Sequence, residues 1–292
     1  MGSRLAFTLC VLASLGSLAA SQDSGGGARA MLAQAAAGKN PDTRVLAAEA
    51  MSLLPQNDPL LGPDGALGKL LADHDVSVRI AAIAALADSA GPAPGRDVLG
   101  QLEAMLDDPV PEVDYTAAKS LDALHDPAGT EFLLAVVSGD SKATSSFLAS
   151  HKRSALRMLQ TPGKLLTTAA IDSAEILAPG PVGLGVGSLH GILKDNASPR
   201  AATLLLLNKG NDAALPTVVG HALTDKDSSV RAAAVHVVAT HPLPELVGAL
   251  KPLLDDKSDA VRLRAAAALL RLRQGFAADA GAGAQKRLLN FH

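Results

Sequence analysis

Aromatic side chains are nearly missing from this chain: five Phe, one Tyr and no Trp in 292 residues. A core without rings has to be filled by Ala, Leu and Val. Such small, unbranched or lightly branched residues suit closely packed helices, and Ala has the highest helix propensity of all. β-Sandwiches and barrels draw instead on Val, Ile, Thr and aromatics, so the composition points to an all-α protein. Cysteine is as scarce. Cys10 is the single one, which excludes a disulfide framework within the chain and any zinc site built on several thiolates. An excess of one charge is lacking too. Twenty-six Lys and Arg face 29 Asp and Glu, a formal net charge of −3. That balance leaves no basic stripe of the kind nucleic acid requires. What is abundant is apolar material, 48% of the residues, enough for a sizeable core.

The first residues read as an export signal. Arg4 gives the positive start, Leu5 to Ala20 is an uncharged run of 16 residues, and Ser17-Leu18-Ala19 or Ala19-Ala20-Ser21 offers small residues for cleavage before Gln22. The run falls short of the roughly 20 residues that span a bilayer. The expectation is therefore a signal peptide over 1–21, a periplasmic or extracellular protein, no transmembrane span after cleavage, and a mature chain from which Cys10 has gone.

One pattern then recurs: a polar turn, a Val-Arg pair or a variant of it, and an Ala-rich helix. The clearest copies are Asp225-Lys-Asp-Ser-Ser-Val-Arg231-Ala-Ala-Ala, Asp256-Lys-Ser-Asp-Ala-Val-Arg262-Leu-Arg-Ala-Ala and Asp73-His-Asp-Val-Ser-Val-Arg79-Ile-Ala-Ala. Weaker copies centre on Arg44 and Arg200, and in another Asp114 stands where the arginine would be. Successive Arg positions lie 35, 35, 31 and 31 residues apart (44, 79, 114; 200, 231, 262). Arg153 marks an irregular unit in the 86-residue interval between them. A period of this size is one helix–turn–helix unit, which cannot bury its apolar faces alone and has to stack.

Each copy carries its own start signal. Three residues before the Val position stand Asn40, Asp75, Asn196, Asp227 and Ser258, all good N-cap residues; Val110 holds the place in the Asp114 copy. Pro41 and Pro111 follow at the first helical position. Counting Val as zero, positions +4, +7, +8 and +11 form one apolar stripe, for example Ala265, Ala268, Leu269 and Leu272. First helices are expected over 67–71, 99–106, 132–137, 189–193, 215–223 and 246–254.

The polar turn followed by Val-Arg-x-x-Ala-Ala resembles the HEAT repeat, in particular the short HEAT-like repeats of the phycobilisome-lyase type. The resemblance covers roughly residues 29–275. It implies a right-handed α-solenoid of about seven helix pairs, over 29–276, preceded by a flexible leader at 22–28 and followed by a Gly/Ala-rich C-terminal tail at 277–292. The segment 140–190 is the irregular centre, with Pro179-Gly-Pro-Val-Gly-Leu-Gly-Val-Gly187 as a break or bend.

Candidate chemistry is thin. Arg44, Arg79, Arg200, Arg231 and Arg262 could form an anion-binding ladder, but recurrence at one structural position favours bonds to turn carbonyls or to carboxylates such as Asp225 and Asp256. Gly183 to Gly187 lacks the P-loop pattern. His74, His236 and His241 do not fall into a metal-ligand spacing, and no His-Glu pair of the kind found in iron-bearing HEAT-repeat hydroxylases occurs. Ser188 and His190 miss the nucleophile-elbow spacing. No catalytic, metal or cofactor residue is expected. Positions +3, +6 and +10 lie opposite the core stripe, where a solenoid meets its partners. They include Glu49, Thr116, Lys119, His236, Arg264 and Arg271, read as a solvated face and candidate partner surface. The expectation is a non-enzymatic scaffold that binds a protein or peptide on its concave face. The alternatives are a HEAT-like lyase or metal-dependent hydroxylase, or an architectural spacer.

Overall fold

The computed structural model describes residues 25–91, 93–138, 198–207, 213–241 and 243–289, with side chains placed up to Gly275. The expected signal peptide at 1–21, Arg153, the expected first helix at 189–193, the Gly183–Gly187 run and Asn196 lie outside these residues. The described residues form twelve helices and no strand. They are α1 over 25–36, α2 Pro41–Met51, α3 Ala66–Leu71, α4 Val76–Ser89, α5 Arg96–Ala104, α6 Pro111–Ala123, α7 Pro127–Ser138, α8 Pro199–Leu207, α9 Leu215–Ala222, α10 Ser228–Thr240, α11 Val247–Leu250 and α12 Asp259–Leu289. This is the helical solenoid the repeat pattern predicts. Among the described residues no helix is long and apolar enough to cross a membrane.

Local chemistry sets where the second helix of each pair starts. Asn40 accepts the amide of Asp42, Asp75 those of Ser77 and Val78, and Asp227 that of Ser229. Ser258 directly precedes α12, and its carbonyl accepts the amides of Val261 and Arg262. The Arg200 copy starts later than expected. Its helix begins at Pro199 rather than just after Asn196, and Ser198 sits at its entrance, where its hydroxyl accepts the Arg200 amide. Proline is well placed there because its missing N–H would have had no helical partner.

One first helix is much shorter than the sequence suggests. The segment 246–254 is two 3₁₀ turns, Pro244–Leu246 and Pro252–Asp255, around the four residues of α11. Pro252 cannot donate to the helix and ends it. The third helix likewise follows a 3₁₀ turn at Pro59–Leu61, and α5 gives way to one at Met105–Asp107.

Both ends of the array differ from expectation. Residues 25–28, read as leader, already belong to α1, whose Ala28, Leu32 and Ala36 are buried one turn apart. At the other end α12 runs on through the Gly/Ala stretch to Leu289.

The apolar stripe is buried, and so are apolar residues on the other faces of the same helices, such as Ile83, Val235 and Ala267. Ala82, Ala85 and Leu86 of α4, Ala234, Val237 and Val238 of α10, and Ala265, Ala268 and Leu272 of α12 are all buried. Small residues let neighbouring helices approach closely. Gly129 of α7 is the extreme case, since a Cβ there would lie 2.3 Å from the amide nitrogen of Asp122 on α6.

The second helices pack in the order α8, α10, α12, α2, α4, α6, with α7 against α6. The last helix of the sequence thus lies on the second. A Cβ at Gly25 would sit 2.6 Å from a guanidinium nitrogen of Arg273, so the two sequence ends of the array meet.

Candidate functional site

The repeated arginines tie each unit to the next. Arg44 on α2 holds both oxygens of Asp73 at 2.8 and 2.9 Å and reaches the carbonyl of Gly38 at 3.0 Å. Arg79 on α4 pairs with Asp108 at 2.9 Å and donates to the carbonyl of Asp73 at 2.7 Å. Arg231 on α10 clasps Asp256 at 2.8 and 2.7 Å and donates to the carbonyl of Asp225 at 2.7 Å. Arg200 on α8 pairs with Asp225. Every one of these carboxylates also accepts the amide two residues ahead, at Asp75, Val110, Asp227 and Ser258. Arginine suits the task because its planar fork fits a carboxylate with two parallel bonds and still has a donor left for the carbonyl. The Arg231 and Arg200 bonds hold the carboxyls of Asp256 and Asp225 below the usual carboxylate range. The forks of Arg44, Arg79 and Arg231 are filled by the chain's own carboxylates, so they are joints between repeats.

The ladder partners have a sequence signature that the Arg positions alone do not reveal. Asp73, Asp108, Asp225 and Asp256 each stand six residues before the Arg position of their own unit, and each serves the preceding unit. In the first unit that place is Gly38. Arg262 at the end of the ladder pairs with Asp259 in its own helix and donates to the carbonyl of Asp256 at 2.6 Å. In the third unit Asp114 replaces the arginine. Burial pushes its carboxyl up to about 6, and the neighbouring charges of Asp108 and Glu112 add to the effect.

Where α12 meets α2 the chemistry changes. Arg264 of α12 bonds Glu49 of α2 at 3.1 Å, and the two side chains are 1% and 2% exposed. Arg271 donates to the carbonyl of Leu53 at 3.2 Å. His236 of α10 is buried as well, at 5% exposure, and its Nδ1 has no hydrogen-bond partner. Burial, then the charges of Arg264 and Arg271, lower its pKa to about 3, so the ring is neutral. The sequence places Glu49, His236 and Arg264 on a solvated partner face, and this is overturned. That face of α2, α10 and α12 is interior: α2 and α12, far apart in sequence, cover each other, and α10 packs against α8, α9 and α12 of the adjacent units. Arg271 is half-buried and Thr116 bonds the carbonyl of Glu112; Lys119 alone of the six is exposed.

The large exposed apolar residues lie elsewhere, on α7 and on α8 and α9. Leu134 and Val137 of α7, Leu206 and Leu207 of α8, and Val218 of α9 stand in solvent, Val137 at 85% and Leu206 at 69%. A groove of about 470 Å³ runs between α8, α9 and α10, floored by Leu204, Leu207, Val218 and Val230, with the Arg200–Asp225 pair at its rim. Most of its lining is apolar, and Arg200, Thr203, His221 and Asp225 are its polar members. Among the described residues no group of three or more His, Cys, Asp or Glu lies together as a metal ion would need. His74 is exposed and lies 3.3 Å from Asp73.

Two stretches, residues 64–146 and 191–271, match the family model for HEAT repeats. The first contains the Arg79–Asp108 joint and begins after α2; the second contains the Arg200–Asp225 and Arg231–Asp256 joints. No curated protein matches the chain.

Proposed function

The chain belongs to the HEAT-repeat family, and from that premise we propose that it is a non-enzymatic scaffold that binds a protein or peptide partner outside the cytoplasm. The observation that carries the reading is the apolar groove on α8 and α9, with Leu207 and Val218 open to solvent. Exposed apolar residues grouped in this way mark interaction sites more often than scattered ones do. The concave-face site inferred from sequence is moved accordingly, since Glu49, His236 and Arg264 are buried. Location outside the cytoplasm rests on Arg4 and the uncharged run Leu5 to Ala20. The finer resemblance to lyase-type repeats brings no residue that would hold a tetrapyrrole or an iron ion.

The test is capture from the source organism's envelope and culture fluid with the mature chain, beside a Leu207→Glu, Val218→Glu variant. A defined protein retained by the first and lost by the second is expected. Equal retention would move the site elsewhere, no retention would favour an architectural spacer, and a purified protein carrying a metal or a coloured group would end the non-enzymatic reading.

A further inference from the structure

The α12–α2 junction is unlike the other contacts between neighbouring second helices in the described chain. Asp73, Asp108, Asp225 and Asp256 each lock a rim. Here the corresponding position is Gly38, which has no carboxylate, and Arg262 turns back to Asp259 on its own helix. The polar tie across the junction is the buried Glu49–Arg264 pair, helped by Arg271 on the Leu53 carbonyl. A buried pair of this kind depends on a well-matched local field, because desolvation offsets much of its attraction.

His236 stands in that field. Its imidazole is buried, its Nδ1 is unpartnered, and the charges that act on it most are Arg264 and Arg271 of α12. Glu49, from α2, is bonded to Arg264. The remaining neighbours of α10 add little: α8 brings Arg200, held at the rim by Asp225, and α9 brings the exposed His221. On α10 itself Arg231 is engaged by Asp256, and His241 lies at the C-terminal end.

We propose that the α12–α2 junction is an acid-sensitive latch, closed while His236 is neutral and opened when His236 takes up a proton. Protonation at Nδ1 puts a third cation beside Arg264 and Arg271 with one carboxylate between them. In the closed junction the Nδ1 is buried and has no hydrogen-bond partner among the described residues to receive the new N–H. Opening supplies water to the imidazolium and to Arg264, whereas the Arg–Asp rims elsewhere stay ionised and hold the two sets of helix pairs intact. The sign follows from linkage. The open form, with an ordinary histidine near 6.5, binds more protons than the closed form at about 3. Closure is therefore complete above 6.5 and weakens as pH falls below it. Between pH 7.5 and pH 5.0 the open fraction rises roughly 30-fold by the same linkage.

Hydrogen exchange of the full chain, read by mass spectrometry and corrected for the intrinsic rate, tests this at the two pH values. In the wild type, amides of α2 and of α12 up to residue 275 are expected to show the roughly 30-fold rise in opening, while those of α4 and α6 do not. His236→Leu should abolish the rise, and His236→Gln replaces it if the leucine variant does not fold. Glu49→Gln should loosen α2 and α12 at both pH values and keep the step between them. A flat wild-type profile, a step that survives loss of the histidine, or α4 and α6 opening in parallel with α2 would each overturn the latch.

Discussion

Glu49 and Arg264 are 215 residues apart in sequence and form an almost fully buried ion pair. Removing one member leaves a charge in a medium that cannot solvate it, which costs on the order of 3 kcal/mol or more. Replacing both by well-packed apolar residues of similar volume removes the desolvation penalty together with the attraction. Glu49→Gln should therefore lower the urea midpoint strongly, and the Glu49→Met, Arg264→Met double variant should lie closer to the wild type than either single variant does. Additive losses in that cycle would mean the two side chains do not depend on each other. At this scale the sequence was partly readable. Asn40, Asp75 and Asp227 announce their helix starts because a cap is a bond to the next turn, settled within three residues. The fate of Glu49, His236 and Arg264 was not readable. Periodicity separates two faces of a helix but does not say how many of them will be covered, and for Glu49 and Arg264 the covering helix comes from the other end of the chain.

Among the elements, α6 and α7 show how far small residues determine packing. The sixth helix ends in His125, which takes a left-handed conformation with φ 61°. Its successor Asp126 donates back to the carbonyl of Leu121 at 2.9 Å, closing the helix end. The turn sets Gly129 of α7 directly on the backbone of α6, with Ala118, Leu121 and Asp122 as its nearest neighbours. Gly129→Ala has no room without parting the two helices. A loss of about 1–3 kcal/mol is expected from thermal or denaturant unfolding, in the range for overpacking a tight contact. An unchanged midpoint would show that α7 can slide without cost. Lengths of elements were less legible than their existence. The segment 246–254 has the apolar spacing of one helix, yet Pro252 divides it, while α12 continues through Gly275 and the Gly/Ala stretch.

For the molecule as a whole, the order of packing is not the order of the sequence. The last helix pair sits between α10 and α2, so it supports a helix more than two hundred residues upstream. Removal of residues 259–292 should raise amide exchange in α2 as strongly as in α10. A strictly sequential array would confine the effect to α10, and that outcome would exclude the closed order. The helix–turn–helix unit and the Arg–Asp joints follow from spacing and residue type, since each involves only adjacent units. The meeting of the two ends leaves no such trace, because Gly38 signals only that a carboxylate is missing there.

Such a meeting also bears on how a protein of this design can change size. An open solenoid lengthens by adding units at either tip, since each tip offers an unoccupied seat. In this chain the seat beyond α12 is already taken by α2. A duplicated unit appended after the last one would have to evict the first, and growth is directed inward, to the stretch between α7 and α8.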